Sequence, residues 1–175
     1  MLPVTYSQLD KYARDAQLWR ALAEFNRAAA RELFKASSLN PTLYFVAVTL
    51  SHNALELFLK TALICQGMTV FNPKKLRFLD PSVGLKESDC VWGHSLVSLA
   101  RELAELRPDF DLSAEIENRL VTVEGPLTVE RAFAEIDPFF SELRYPQELK
   151  NVAGFGEDVL PVLDELVSRL EPFLS

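Results

Sequence analysis

Six side chains in this sequence are of the types that acid–base chemistry and anion recognition need: His52, Asn53, Glu56 and Lys60 in one run, then His94, then Arg144. Glu56 follows His52 by four residues and precedes Lys60 by four, so on a helix the three side chains lie along one face and can touch. His94 stands in Gly93-His94-Ser95-Leu96, and Arg144 opens the stiff turn Arg144-Tyr145-Pro146. Two readings of this polar cluster are open. In one, Glu56, His94 and Arg144 are candidate catalytic groups that line a cleft and offer an acid, a base and a guanidinium to an anionic ligand. In the other, Glu56 accepts hydrogen bonds from His94 or Arg144 inside the fold and pins loops to it.

Other chemistries find less support. Nucleophilic catalysis needs a base beside the nucleophile, and the two histidines, His52 and His94, stand in no recognisable nucleophile context. Cys65 and Cys90 form no CxxC pair, and Cys90-x3-His94 alone makes a poor zinc set, so no metal is expected. Gly154-Phe155-Gly156 follows no strand and precedes no basic residue, which makes it a turn and not a phosphate cradle. No cofactor is expected.

Charge is distributed unevenly. The net charge of −7 argues against a surface that is wholly a nucleic-acid footprint. From Met1 to Arg77, 10 basic residues stand against 5 acidic ones, whereas from Phe78 to Ser175 the counts are 8 and 20. Either the two halves attract one another in the folded protein, or the basic half offers a patch to an anionic partner. The candidates for that patch are Arg20, Arg27, Arg31 and Lys35, in a row at helical spacing with Glu24 among them, and the cluster Lys74, Lys75 and Arg77.

The elements that must position these residues read as all-α, in one domain spanning 1–175. The period of apolar residues predicts a first helix over Ser7–Ala36, with Leu9, Tyr12, Ala16, Trp19, Leu22, Ala23, Ala29, Ala30 and Leu33 inward. Asn40 caps a second helix that starts at Pro41 and runs to Gln66, where Gly67 ends it. Its longest apolar stretch, Leu43 to Ile64, carries His52, Asn53, Glu56 and Lys60, so it reads as a core helix and not a membrane span. From Gly67 to Gly93 no period is visible, and a connection of that length in a compact domain is usually functional or disordered. Ser95 then caps a third helix with Leu96, Leu99, Ala100, Leu103 and Leu106 inward. A short helix is predicted from Ser113 to before Gly125, and another from Thr128 that bends at Asp137-Pro138 and stops at Arg144-Tyr145-Pro146. The last runs from Glu157 to Phe173, with Val159, Leu160, Leu163, Leu166, Val167 and Leu170 inward. The result is an up-and-down bundle of five to six helices with a long loop between the second and third, and no strand. The N-terminus has no basic n-region or apolar h-region, so the cytoplasm, with both thiols free, is the expected compartment.

The run His52-Asn53-Ala54-Leu55-Glu56-Leu57-Phe58-Leu59-Lys60, the Gly93-His94-Ser95-Leu96 start of the third helix and the late Arg144 turn together resemble a HEPN domain. That resemblance implies an all-α bundle, often a homodimer, that acts as a metal-independent ribonuclease or as the partner of a small nucleotidyltransferase in prokaryotic toxin–antitoxin and defence systems, with RNA or nucleotides as candidate ligands. A dimer interface would draw on the first two helices or on the Gly67–Gly93 loop. The chain also departs from the family. Active HEPN ribonucleases carry an Arg followed, after four to six residues, by His, and the corresponding positions after Arg144 hold Leu149, Lys150 and Asn151. The expectation is therefore a non-catalytic HEPN-like module that binds a protein partner or RNA. The alternatives are a ribonuclease that uses Glu56, His94 and Arg144, and a purely structural dimerisation protein.

Overall fold

The computed structural model describes residues 11–40, 42–121, 123–138 and 158–175. Among these, five α-helices dominate: α1 (Ala16–Ser37), α2 (Thr42–Cys65), α3 (Leu96–Leu106), α4 (Val129–Ile136) and α5 (Val159–Leu170). Each has local reasons to start where it does. Asp15 accepts a hydrogen bond from Leu18 N at 3.0 Å and caps α1, and Thr128 accepts from Arg131 N and caps α4. Asn40 Oδ1 receives Thr42 N at 3.2 Å and Thr42 Oγ1 at 2.7 Å at the entry to α2. Gly67, at φ 91°, ends α2 in the left-handed region that glycine enters without a Cβ penalty.

α2 is the centre of the core. Leu55, Phe58, Leu59, Ala62 and Leu63 are fully buried, and one cluster of buried apolar side chains runs from them through α1, α3, α4 and α5. By length and composition α2 could cross a membrane, and half of its most apolar stretch is buried within the bundle.

Four expectations need correction. α1 buries Ala23, Ala30 and Phe34 and packs Ala16, Trp19 and Leu33 against the core as expected, while Tyr12 and Leu22 are each 44% exposed; Leu9 lies outside the described residues. The apolar positions of α1 are too many for one face, and the small alanines are the ones that allow close approach to α2. In α3, Leu106 is likewise exposed; in α5, Val162 is buried in addition to the expected residues, and Leu160 is partly buried against the core. The Gly67–Gly93 stretch contains two strands where none was expected: β1 (Thr69–Val70) pairs in parallel with β2 (Cys90–Val91), Thr69 opposite Cys90. Strands of two residues are too short to show alternation. Between them run 3-10 turns at Pro73–Phe78, Pro81–Val83 and Glu87–Asp89, and Val70, Leu79 and Val91 pack into the molecule's own core.

The helix expected from Ser113 is absent. Residues there are extended, with an antiparallel bridge between Glu115 and Thr128, and the Glu165 carboxylate takes Glu117 N at 2.9 Å and Asn118 N at 3.0 Å. Backbone donors that a helix would use internally go to α5 instead. The expected turn at Arg144-Tyr145-Pro146 and the start of the last helix at Glu157 lie outside the described residues.

Candidate functional site

Three residues of α2 at four-residue spacing, His52, Glu56 and Lys60, are buried despite their charge or polarity. A carboxylate in that position requires partners. Glu56 has two. Lys60 Nζ lies 2.7 Å from Glu56 Oε1, one turn along the helix. His94 Nδ1 lies 3.0 Å from Oε2 and 3.1 Å from Oε1. A carboxylate oxygen accepts, so in this contact Nδ1 is the donor. The His94 side chain is 51% exposed against 9% for Glu56, so the ring forms the outer layer of the site. Lys60 also lies 5.6 Å from the centre of the Trp19 ring, whose Nε1 donates to Tyr12 O at 2.8 Å.

A second carboxylate completes the arrangement. Asp137, just past the end of α4, accepts Leu96 N at 2.7 Å and Ser95 Oγ at 2.8 Å, and His52 Nε2 lies 3.5 Å from its Oδ1. Burial disfavours the charge on Asp137, yet the hydrogen bonds from His52, Leu96 N and Ser95 outweigh it and hold the carboxyl below the usual carboxylate range. Glu56 and Asp137 thus grip His94, Ser95 and Leu96 from two directions. Gly93, at φ 117°, gives the chain the sharp entry that presents those three residues to both carboxylates. Ser95 Oγ also accepts from Ser98 N as the cap of α3.

The structure therefore brings Glu56, Lys60 and His94 together and joins His52 to Asp137. Asn53, three residues before Glu56, is half-buried and makes none of these contacts to Glu56 or Asp137 among those described. Arg144 lies outside the described residues. Asp137 is the group that sequence reasoning passed over, because Asp137-Pro138 reads as a bend and nothing local signals a partner in α3.

Of the basic row of α1, Arg27 and Arg31 are paired with α5, Arg20 with the residue just past it, and Lys35 within α1. Arg20 lies 2.8 Å from Glu171, Arg27 2.9 Å and Arg31 2.6 Å from the same oxygen of Asp164, and Lys35 2.7 Å from Glu32. Lys74, Lys75 and Arg77 are exposed on the turn Pro73–Phe78, with the Arg77 guanidinium 4.7 Å from the Phe78 ring centre. Burial pushes the thiols of Cys65 and Cys90 up, which keeps both protonated and poorly nucleophilic. Among the described residues no group of three or more His, Cys, Asp or Glu side chains is placed to hold a metal ion. Surface grooves are lined by Glu117, Asn118, Asp164 and Glu165 at α5, and by Arg27, Arg31 and Lys35 on α1.

The site and fold define a class, a mostly α-helical bundle whose central helix carries a buried polar row. No protein-family model, curated protein or solved structure matches the chain.

Proposed function

We propose that this chain is a HEPN-like helical module that acts by binding a protein partner and carries no nuclease chemistry of its own. The observation that supports this reading is where its charges go. Arg20, Arg27 and Arg31 are each committed to carboxylates at the C-terminal end of the chain, and both oxygens of Glu56 are engaged by Lys60 and His94. A row that already holds carboxylates is a weak ligand for phosphate, and a carboxylate shared with a buried ammonium is a poor general base. The partner class that the resemblance implies is a small nucleotidyltransferase, in a toxin–antitoxin or defence setting.

A ribonuclease reading keeps one observation in its favour: an imidazole held by a buried carboxylate and half-exposed on its outer side is the arrangement of a positioned acid–base group. One experiment separates the two. Purified protein is incubated with labelled total RNA and followed by gel shift and by cleavage. The binding-module reading expects neither cleavage nor retardation at about 0.15 M salt, where exposed charge pairs beyond ~8 Å are screened. Cleavage that disappears in His94→Ala while the helical signal persists would establish the ribonuclease instead.

A further inference from the structure

The excursion between Gly67 and Gly93 is anchored by the β1–β2 pair and by Val70, Leu79 and Val91 in the core, and it carries the 3-10 turn Pro73–Phe78. With three residues per turn, side chains three apart stand one above the other, so the turn has three edges. Pro73 and Leu76 share the first edge and are half-buried, and the buried Leu79 follows them. Lys74 and Arg77 share the second, and both are exposed; Lys75, also exposed, and Phe78 share the third. The turn is stiffly built. Pro73 stands at its start, Asn72 Oδ1 accepts Lys74 N at 3.0 Å, and Leu79 N donates to Leu76 O at 2.9 Å. The Arg77 guanidinium is itself placed, over the Phe78 ring. Among the described residues no carboxylate lies within ion-pair distance of Lys74, Lys75 or Arg77, whereas Arg20, Arg27, Arg31 and Lys35 are each paired.

We propose that the Lys74–Arg77 edge, with Lys75 beside it, is the docking surface for an acidic helix of a partner protein that carries carboxylates one turn apart. The inference rests on the protein-partner reading and adds where, and by what chemistry, that partner is met. Spacing supports it first. Lys74 and Arg77 are separated by about 6 Å along the turn, at ~2.0 Å per residue, and glutamates at i and i+4 of an α-helix are also about 6 Å apart, at ~1.5 Å per residue. Availability supports it next, because these three are cations that the fold leaves without a counter-charge, and such complementarity sets which partner is met and how fast. Extent then separates an acidic helix from a nucleic acid. Asp80 lies three residues beyond Arg77, and Glu87 and Asp89 follow on the same excursion. Hydrogen bonds from Ser82 hold the Asp80 carboxyl below the usual carboxylate range, and those from Lys86 N and Ser88 do the same for Asp89, so both are charged at neutral pH. A phosphate chain running past the three cations would meet these carboxylates, whereas a pair of glutamates ends with the patch. Phe78, whose ring could otherwise stack a base, has the Arg77 guanidinium over it.

Fluorescence anisotropy with the full chain tests it. The probe is a labelled alanine-based helical peptide with glutamate at every fourth position. It is compared with a peptide of the same composition whose glutamates are contiguous, and with oligouridine, at ~0.05 M salt, where the screening length exceeds about 10 Å. The spaced peptide should bind tightest of the three. Lys74→Gln/Lys75→Gln/Arg77→Gln should weaken it about tenfold, the effect of losing two or three exposed pairs, while Arg27→Gln/Arg31→Gln leaves it unchanged. Should the triple variant lose its helical circular dichroism, acetylation of the wild type reads the same contact: the bound peptide protects Lys74 and Lys75 and leaves Lys35 open to the reagent. A spaced peptide bound no tighter than the contiguous one, or held equally by the triple variant, overturns the proposal. Oligouridine bound tighter than the spaced peptide also overturns it and gives the turn to nucleic acid. Failure here without RNA cleavage or retardation at ~0.15 M salt removes this surface and leaves the protein-partner reading standing, whereas RNA cleavage removes that reading whatever the peptide does.

Discussion

Glu56 is held by a buried lysine on Oε1 and by a half-exposed histidine that lies against both oxygens, and the two contacts do different things. Lys60, 4% exposed, depends on Glu56 for its counter-charge, whereas His94 can turn toward water. Glu56→Gln leaves the ammonium buried without that charge, so the expected loss is about 3–5 kcal/mol in urea unfolding, and Glu56→Leu/Lys60→Met should lose less than the single change. A double variant worse than Glu56→Gln would count against a buried pair. Asp137 responds to pH in a definite direction. Its folded pKa is depressed, so its contribution is present above the ordinary carboxylate value of about 3.9 and disappears as pH falls through the lower folded value. Asp137→Asn should therefore cost about 1.5–3 kcal/mol at pH 7, the range for hydrogen bonds to a charged group, and converge with wild type in acid. Parallel curves at both pH values would remove Asp137 from this role. The Glu56–Lys60 contact is legible in the sequence because it obeys helical spacing. The Asp137–Leu96 bond spans 41 residues and ends on a backbone N–H, which no residue type announces.

At the scale of elements, α2 was readable because a run from Thr42 to Cys65 with only two charged residues leaves few alternatives to a core helix. Phe58 and Leu55 are fully buried, and Phe58→Ala should cost about 3–5 kcal/mol through lost burial and an unfilled cavity. A loss below about 1 kcal/mol, measured by chemical denaturation, would mean that the surroundings of Phe58 are not close-packed. Where the reading failed, tertiary partners had overridden local pattern. Residues from Ser113 onward have helical composition, but Glu165 of α5 claims the N–H groups of Glu117 and Asn118 and Arg169 reaches Glu115 O at 2.6 Å. The β1–β2 pair is invisible for another reason: it consists of two residues on each side, joined across the whole loop.

For the molecule as a whole, the asymmetry of charge along the chain becomes an asymmetry across one helix contact. The basic row of α1 lies against the acidic α5, and Asp164 alone receives two guanidiniums. These pairs are partly exposed, with Arg31 at 42% and Asp164 at 37%, so their contribution to stability is small, below about 1 kcal/mol for each. Their larger effect is on what the surface offers to others. While Asp164 occupies Arg27 and Arg31, a phosphate must displace a carboxylate to reach them. Asp164→Asn removes that competitor at little structural cost, because the amide still fills the position and accepts a hydrogen bond. The variant should bind labelled single-stranded RNA more tightly than wild type at low salt, and the slope of log affinity against log salt should steepen by about 1.4 for two added phosphate contacts at ~0.7 each. Adding Arg27→Gln and Arg31→Gln should abolish the gain. If RNA binding is unchanged in Asp164→Asn, then Glu24, 3.7 Å from Arg27, and the rest of the acidic surface suffice to keep the row closed, and the balance of charge between the two halves serves the fold alone.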